Sequence, residues 1–203
     1  MQQTWNDIWK DFKGQNWLGR RFKREEKLEL NKIFDFLNLP KKARIIDVGC
    51  GTGFVLNFLR KRGYTNSIGI DSSQNALLLC QKLFGLVKNK DVFFMNCKKL
   101  DFPANYFDLV FSEGLLEHFK SMVTIAREMC KVSKKWILLV QPNPNSLFGR
   151  TKTFLSKFSQ LSWQKEYNYS KQDYINIFNK FGFTLENWGQ INFNEIIWLL
   201  FGR

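Results

Sequence analysis

The sequence predicts an α/β fold built on a parallel sheet with helices on both faces. From residue 43 to residue 141, short apolar segments alternate with helical patterns, as in repeated strand–helix–strand units. Segments such as Trp136-Ile-Leu-Leu-Val140 are apolar throughout, which is typical of strands buried on both faces. A glycine-rich turn, Gly49-Cys-Gly-Thr-Gly53, separates the first strand from the helix that follows it.

The N-terminal part of the chain is predicted to be helical. Residues 4–38 contain two helical patterns, and the first of them places Trp5 and Trp9 on one apolar stripe. The second pattern ends before Pro40, which cannot continue a helix. We therefore expect residues 1–40 to form a helical cap on the domain.

Five strands and three helices are predicted in the central part of the chain. The strands cover residues 43–48, 67–70, 92–96, 108–112 and 136–141. The helices cover residues 54–62, the segment from Ser72 or Ser73 to about Phe84, and residues 121–132.

After Pro144 the alternation of strands and helices stops. Residues 145–169 are rich in aromatic and basic side chains, and we expect them to form an insertion that acts as a lid on the carboxyl edge of the sheet. Ser170 and Asp173 have the spacing of a capping box, which predicts a helix that runs to Phe181. Two final strands are predicted at residues 183–189 and 195–201. Since no linker separates a second domain, all 203 residues are predicted to form one domain.

Composition excludes several classes of protein. Hydrophobic residues make up 44% of the chain and charged residues 24%, which excludes disorder as the main state. The single histidine and the four cysteines, none of them in a Cys-x-x-Cys pair, match neither a zinc cluster nor a disulfide scaffold, so no metal site is predicted. No signal segment is visible, and the longest apolar run, residues 196–201, is too short to span a membrane. The predicted location is the cytoplasm.

The chain is strongly basic. Its 31 Lys and Arg residues exceed its 18 Asp and Glu residues, giving a net charge of +13 that favours anionic partners. Basic and aromatic residues are mixed at residues 13–27 and 148–169. Such stretches are typical of RNA binding, of a helix lying on an anionic membrane, and of a lid over an apolar acceptor. The sequence leaves these alternatives open beside the simpler one, in which most of the charges are solvated.

The glycine-rich turn and Asp71 point to a nucleotide-like ligand. Glycines let the backbone approach a ligand closely, and the following helix adds partial positive charge. The spacing is not that of a dinucleotide site, because Phe54 stands where the third glycine of that motif would fall. Asp71 ends the second strand 20 residues after Gly51, where an acid can accept hydrogen bonds from both hydroxyls of a ribose. A 2′-phosphate would be repelled there.

Five segments, in the same order, resemble class I S-adenosylmethionine-dependent methyltransferases, in particular the type 11-like methyltransferases of small molecules. The segments are Ile45-Ile-Asp-Val-Gly-Cys-Gly-Thr-Gly53, Ile68-Gly-Ile-Asp-Ser-Ser73, Asn105-Tyr-Phe-Asp-Leu-Val-Phe-Ser112, Leu116-Glu-His118, and Tyr169-Ser-Lys-Gln-Asp-Tyr174 with Phe181-Gly-Phe183. The resemblance covers residues 40–190 and implies a Rossmann-like, mostly parallel sheet of seven strands. It also implies S-adenosyl-L-methionine as methyl donor and S-adenosyl-L-homocysteine as product.

The resemblance implies a role for each matched position. Gly49, Gly51 and Gly53 would hold the methionine end of the donor, with Asp47 near its amino group, and Asp71 would bind the ribose. Family members often bind the adenine through an acid at the end of the third strand, where this chain has Asn96 followed by Cys97. The carbonyl oxygen of an asparagine can still accept a hydrogen bond from adenine. The remaining implied donor contacts are Cys50, Ser72, Ser112 and Glu113.

Two residues are predicted to act in catalysis. Methyl transfer requires mainly the alignment of the acceptor with an activated methyl group. Where the acceptor must lose a proton, Glu113 and His118 are the predicted bases. The alternatives are a structural role for His118, packed near the end of the fourth strand, and a solvated loop position for Glu113.

The function predicted from these features is methyl transfer from S-adenosylmethionine to a small-molecule or lipid-linked acceptor. One alternative is an RNA methyltransferase that uses the basic and aromatic surface. Another is a non-catalytic protein that binds the donor and serves as a regulator or partner subunit. Peripheral association with an anionic membrane and the oligomeric state stay open.

Overall fold

The computed structural model of the protein describes residues 5–10, 17–146, 166–191 and 194–203, apart from the side chains of residues 8 and 17–23. The predicted insertion at residues 145–169 lies for the most part outside these described residues, at 147–165. The insertion and its role as a lid therefore stay predictions, as does the division of the chain into one domain with a helical cap.

Seven strands form one sheet in the order β3-β2-β1-β4-β5-β7-β6. The strands are β1 Ile45–Val48, β2 Ser67–Asp71, β3 Val92–Phe94, β4 Phe107–Glu113, β5 Ser133–Pro142, β6 Thr184–Ile191 and β7 Ile196–Gly202. Strands β1 to β5 are joined by parallel pairing, and β7 is antiparallel to both of its neighbours. The structure thus confirms the mostly parallel, seven-stranded sheet.

Six helices accompany the sheet in the described parts of the chain. They are α1 Trp5–Lys10, α2 Trp17–Leu37, α3 Phe54–Lys61, α4 Gln74–Phe84, α5 Val123–Val132 and α6 Lys171–Asn179. A single 3-10 turn, Leu116–His118, follows β4. None of the helices in the described ranges combines the length and apolarity needed to cross a bilayer.

Two apolar clusters cover the two faces of the sheet. One joins α2, α3 and α4 to the sheet, with Phe34, Leu59 and Leu77 among its buried residues. The other joins α5 and α6 to the opposite face, around Met129 and Phe178. Burial on both faces explains why the central strands are apolar along their whole length.

The order in which the chain adds strands to the sheet reverses between β1 and β4. The chain lays β2 and β3 on one side of β1, then returns to place β4 on the other side. The loops that leave the carboxyl ends of these two neighbouring strands diverge, and a crevice opens between them. This switch point positions the cavity described below.

Strand β3 is shorter than the sequence pattern predicts, since it ends at Phe94 rather than at residue 96. The reason is a local turn, in which the Asn96 side-chain oxygen accepts a hydrogen bond from the Lys98 backbone N–H at 2.9 Å. Asparagine favours such turns because its side chain can replace a backbone acceptor. The chain therefore leaves the sheet two residues early.

Candidate active site

The turn after β1 is built around two backbone hydrogen bonds. The N–H groups of Gly49 and Cys50 both donate to the carbonyl oxygen of Ile70 in β2, each at 2.9 Å. Gly49 and Gly51 have φ angles of 80° and 50°, which side chains other than glycine rarely adopt. The turn therefore brings bare backbone to the crevice, where a ligand can lie close to it.

Asp71, the last residue of β2, fixes this turn. One oxygen of its carboxylate accepts the N–H of Gly51 at 3.0 Å, and the other accepts the N–H of Ser73 at 2.8 Å. Burial raises the pKa of this carboxyl, and the backbone hydrogen bonds oppose that shift. Each oxygen retains lone pairs that can accept a further donor from a ligand.

A cavity of about 640 Å³ occupies the crevice. Its walls come from the turns after β1, β2, β3 and β4, from the start of α3 and the end of α4, and from α1. Nine of the predicted donor-contacting residues line it, namely Asp47, Gly49, Cys50, Gly51, Asp71, Ser72, Asn96, Cys97 and Glu113. The structure thus brings together residues that are up to 66 positions apart in sequence, from Asp47 to Glu113.

Gly53 and Ser112 point away from the cavity. A β-carbon added at Gly53 would lie 2.5 Å from Cδ1 of the buried Leu86. The buried Ser112 hydroxyl donates to the carbonyl oxygen of Val48 at 2.9 Å. Ser112 thereby ties β4 to β1, and neither residue is among those that line the cavity.

His118 lies in the 3-10 turn, behind the cavity wall. Its Nε2 is 3.7 Å from a carboxylate oxygen of Glu117, and its ring packs edge-on against Trp5 with the centroids 4.6 Å apart. Trp5 and Phe119 line the cavity, whereas His118 does not. Of the two predicted bases, only Glu113 is therefore on the cavity wall.

The cysteine thiols at the cavity are poor nucleophiles. Two main causes raise the pKa of Cys50 well above its usual value. The larger is a hydrogen bond with the Cys80 thiol, and the second is burial. Burial raises the pKa of Cys97 to about 11. Both thiols stay protonated near neutral pH, and a protonated thiol reacts slowly.

Several cavity residues have no counterpart in the motifs. They include Trp5, Trp9, Leu115 and Phe119, and also Lys98, whose ammonium lies 5.1 Å from the centre of the Phe119 ring. The two tryptophans belong to α1, more than 35 residues before the glycine turn. In the sequence, the two tryptophans are visible only as an apolar stripe on the first helix. That pattern predicts a buried helix face, but it does not show that the face lies at the cavity.

The structure leaves the remaining partner predictions open. Residues 148–165 of the second basic and aromatic stretch, and the side chains before Arg24 in the first, lie outside the described residues. Within the described ranges, no group of three or more His, Cys, Asp or Glu side chains is arranged to hold a metal ion.

Just under half of the sequence matches the model of a known family. The model of the family described as "Methyltransferase domain" matches residues 46–138. Demethylmenaquinone methyltransferase from Bacillus licheniformis is 27% identical over 164 residues, which cover 71% of this chain and 70% of that protein. A tRNA U34 carboxymethyltransferase from Pectobacterium atrosepticum is 40% identical over 95 residues, which cover 44% of this chain but only 28% of that protein.

The fold also matches solved structures. Magnesium protoporphyrin IX methyltransferase from Synechocystis, with bound SAH, superposes with a TM-score of 0.73 at 17% identity, covering 97% of this chain and 91% of that one. The same enzyme with bound SAM gives a TM-score of 0.69 at 18% identity, covering 97% and 90%. At such identities the likeness establishes the shared fold.

Proposed function

We propose that this chain, which is a class I S-adenosylmethionine-dependent methyltransferase, transfers the methyl group to a small, largely apolar acceptor, either free or linked to a lipid. The observation that carries the proposal is the wall of the cavity. In addition to Glu113, the lining residues include Trp5, Leu115 and Phe119, which give an acceptor an aromatic and aliphatic surface. Such a wall favours ring-bearing or aliphatic ligands.

The residues at the cavity fit the methyl donor. A volume of about 640 Å³ lies within the range usual for small-molecule sites. The bare backbone at Gly49 and Gly51 would hold the methionine end, with the Asp47 carboxylate near its amino group. The Asp71 carboxylate would accept hydrogen bonds from the ribose. Asn96 keeps a second lone pair on its side-chain oxygen, beside the one used by Lys98, for the adenine amino group.

The protein's own contribution is binding and orientation. When bound, the donor supplies a methyl group on a positively charged sulfur, which is already activated for transfer. The cavity residues would hold the acceptor against that methyl group, and the apolar wall would exclude water. Where the acceptor carries a proton on the reacting atom, the Glu113 carboxylate on the cavity wall would take it. His118 would act indirectly, by supporting Trp5 through the ring contact.

Two further observations bear on the acceptor. The relative from Bacillus licheniformis is named for demethylmenaquinone, and an acceptor of that apolar kind would suit this wall. Lys98 also lines the cavity, and its ammonium could pair with an anionic group on the acceptor. A small acceptor that combines an apolar body with an anionic group matches both features.

An RNA acceptor is the second candidate. The net charge of +13 and the match to a tRNA-modifying relative favour it. A base turned out of a single strand would be small enough to enter such a cavity.

Labelled methyl transfer separates the two candidates. The purified protein is incubated with methyl-labelled SAM and with small-molecule, lipid and RNA fractions of a cell extract. We expect the label in the small-molecule or lipid fraction, in material that resists ribonuclease. Label that ribonuclease releases would instead support the RNA acceptor. Label in no fraction, from protein that binds SAH, would contradict both and favour the non-catalytic alternative.

A variant of Asp71 tests the donor site in the same assay. With SAM below its wild-type Kd, we expect Asp71→Ala to lose most of the incorporation, because the ribose contact and the anchor of the Gly51 turn are both removed. Calorimetric titration with SAH should show about a tenfold weaker affinity. The matched control is Asp101→Ala, which removes an exposed carboxylate that does not line the cavity. Unchanged SAH affinity in Asp71→Ala would overturn the assigned donor site.

A further inference from the structure

Helix α1 lies directly over the glycine turn. A β-carbon added at Gly51 would be 3.2 Å from Cζ2 and 3.4 Å from Cη2 of Trp9, so the indole packs against the bare backbone at that point. Trp5 and Trp9 are both half-buried, and both line the cavity. One short helix therefore provides two aromatic walls of the cavity, and Trp9 is the one that lies at the predicted donor site.

Asn6, between the two tryptophans, joins α1 to the start of α4. Its side-chain oxygen accepts the backbone N–H of Asn75 at 3.1 Å and the hydroxyl of Ser73 at 3.3 Å. Its backbone carbonyl accepts the side-chain amide of Asn75 at 2.7 Å. Ser73 also donates its backbone N–H to Asp71. Ser73 therefore contacts both α1 and the carboxylate that is predicted to bind the ribose.

The first turn of α1 is held from the other side of the cavity. Trp5 packs edge-on against His118 in the 3-10 turn after β4. Helix α1 thus bridges the turns that follow β2 and β4, and it crosses the cavity between them.

We propose that α1 covers the donor site, with Trp9 as a donor-contacting residue and Asn6 as the positioning residue that holds the cover closed. The inference rests on the donor site proposed above and adds a wall that none of the donor-binding motifs contains. Because Trp9 packs against the turn that would hold the methionine end and also lines the cavity, α1 would cover donor or product bound there. Release of the product then requires the Asn6 contacts with α4 to break.

The test uses SAH as the probe, so it needs no acceptor. Three variants are compared with the wild type in calorimetric affinity and in the rate at which excess unlabelled SAH displaces labelled SAH. We expect Trp9→Ala to bind SAH about tenfold more weakly and Trp9→Phe to restore most of the affinity, since the aromatic wall is kept. We expect Asn6→Ala to release SAH about fivefold faster, because hydrogen bonds that hold α1 to α4 are lost.

The control is Lys10→Ala, on the same helix with an exposed side chain, which should bind and release SAH like the wild type. A merely structural role for α1 predicts a different pattern, in which the melting temperature without ligand falls while SAH affinity and release are unchanged. Asn6 is exposed, so Asn6→Ala should melt within about 2 °C of the wild type in the absence of SAH. Wild-type affinity in Trp9→Ala together with wild-type release in Asn6→Ala would overturn the proposal.

The outcomes also separate this inference from the donor site itself. If Asp71→Ala loses SAH affinity while the α1 variants do not, the donor site stands and the cover is wrong. If the α1 variants lose affinity and no acceptor is found, the cover stands and the proposed acceptor is wrong.

Discussion

At the scale of single residues, the carboxyl edge of the sheet holds polar groups with contrasting surroundings. Asp71 is anchored by two backbone N–H groups and still faces the cavity. Gln141, near the end of β5, is only 1% exposed and shares a sheet face with Ile137 and Leu139. Neither polar atom of its side chain has a hydrogen-bond partner in the described parts of the chain. A buried amide without partners costs about 1 to 3 kcal/mol of folding stability.

Replacing Gln141 by methionine should therefore stabilise the protein. Methionine has a similar unbranched shape and carries no amide that must be desolvated. We expect Gln141→Met to raise the free energy of unfolding by about 1 kcal/mol, measured as a higher urea midpoint with an unchanged slope. The control Gln172→Met changes an exposed side chain of α6 and should stay within about 0.5 kcal/mol of the wild type. A less stable Gln141→Met would show that the amide is satisfied in solution.

At the scale of elements, α6 depends on its N-terminal cap. The hydroxyl of Ser170 accepts the N–H of Asp173 at 3.3 Å, and the Asp173 carboxylate accepts the N–H of Ser170 at 2.7 Å. These two reciprocal bonds form a capping box, which stabilises the start of a helix. The cap also places Tyr174 and Phe178, which pack the apolar cluster on that face of the sheet.

Removal of this cap should weaken the whole fold. We expect Ser170→Ala to lower the free energy of unfolding by about 1 kcal/mol, and Ser170→Gly by less, because glycine is tolerated at the cap position. Urea denaturation followed by circular dichroism measures both changes. Gln172→Ala, in the first turn of the same helix, is the control and should differ little from the wild type. Equal stability of Ser170→Ala and the wild type would mean that the helix start frays in solution.

The strands and most helices could be predicted from the sequence because their signals are local. Apolar runs, glycine stops and the capping residues Ser73 and Ser170 all act within a few positions of the element they define. The 3-10 turn at Leu116–His118 was not predicted as an element, because three residues are too short to show a period. The early end of β3 depended on one side-chain hydrogen bond of Asn96, which no apolar pattern reports.

The residues of the candidate site also fall into two groups, those that local motifs predict and those that only the folded structure shows. Asp47, Gly51 and Asp71 lie in contiguous motifs at strand ends. They come together because the carboxyl ends of neighbouring parallel strands lie at the same edge of the sheet. Trp9 reaches the same cavity through a long-range packing contact that no local pattern encodes. Ser112 and Glu113 are adjacent, yet strand alternation sends one towards Val48 and the other to the cavity.

At the scale of the whole molecule, the four cysteines are buried thiols. Cys50 and Cys80 belong to one apolar cluster, and Cys97 and Cys130 belong to the other. Burial raises the pKa of Cys130 to about 12 and that of Cys97 to about 11. In the unfolded chain a thiol ionises near pH 8.5. Above that pH the unfolded state loses protons that the folded state keeps, so the free energy of unfolding falls as the pH rises.

Each of these two thiols, Cys97 and Cys130, therefore lowers the stability of the fold at alkaline pH, and Cys130→Ala isolates one of them. Between pH 8 and pH 10 the wild type should lose about 2 kcal/mol more stability than this variant, because Cys130 ionises only in the unfolded wild type over that range. Urea denaturation at the two pH values measures the difference, and ionisation of lysines cancels in the comparison. The control is Val132→Ala, at another buried position of α5, which removes no titrating group and keeps Cys130. Between pH 8 and pH 10 its free energy of unfolding should fall by as much as that of the wild type. Parallel losses in the wild type and Cys130→Ala would mean that the thiol ionises equally well in the folded protein.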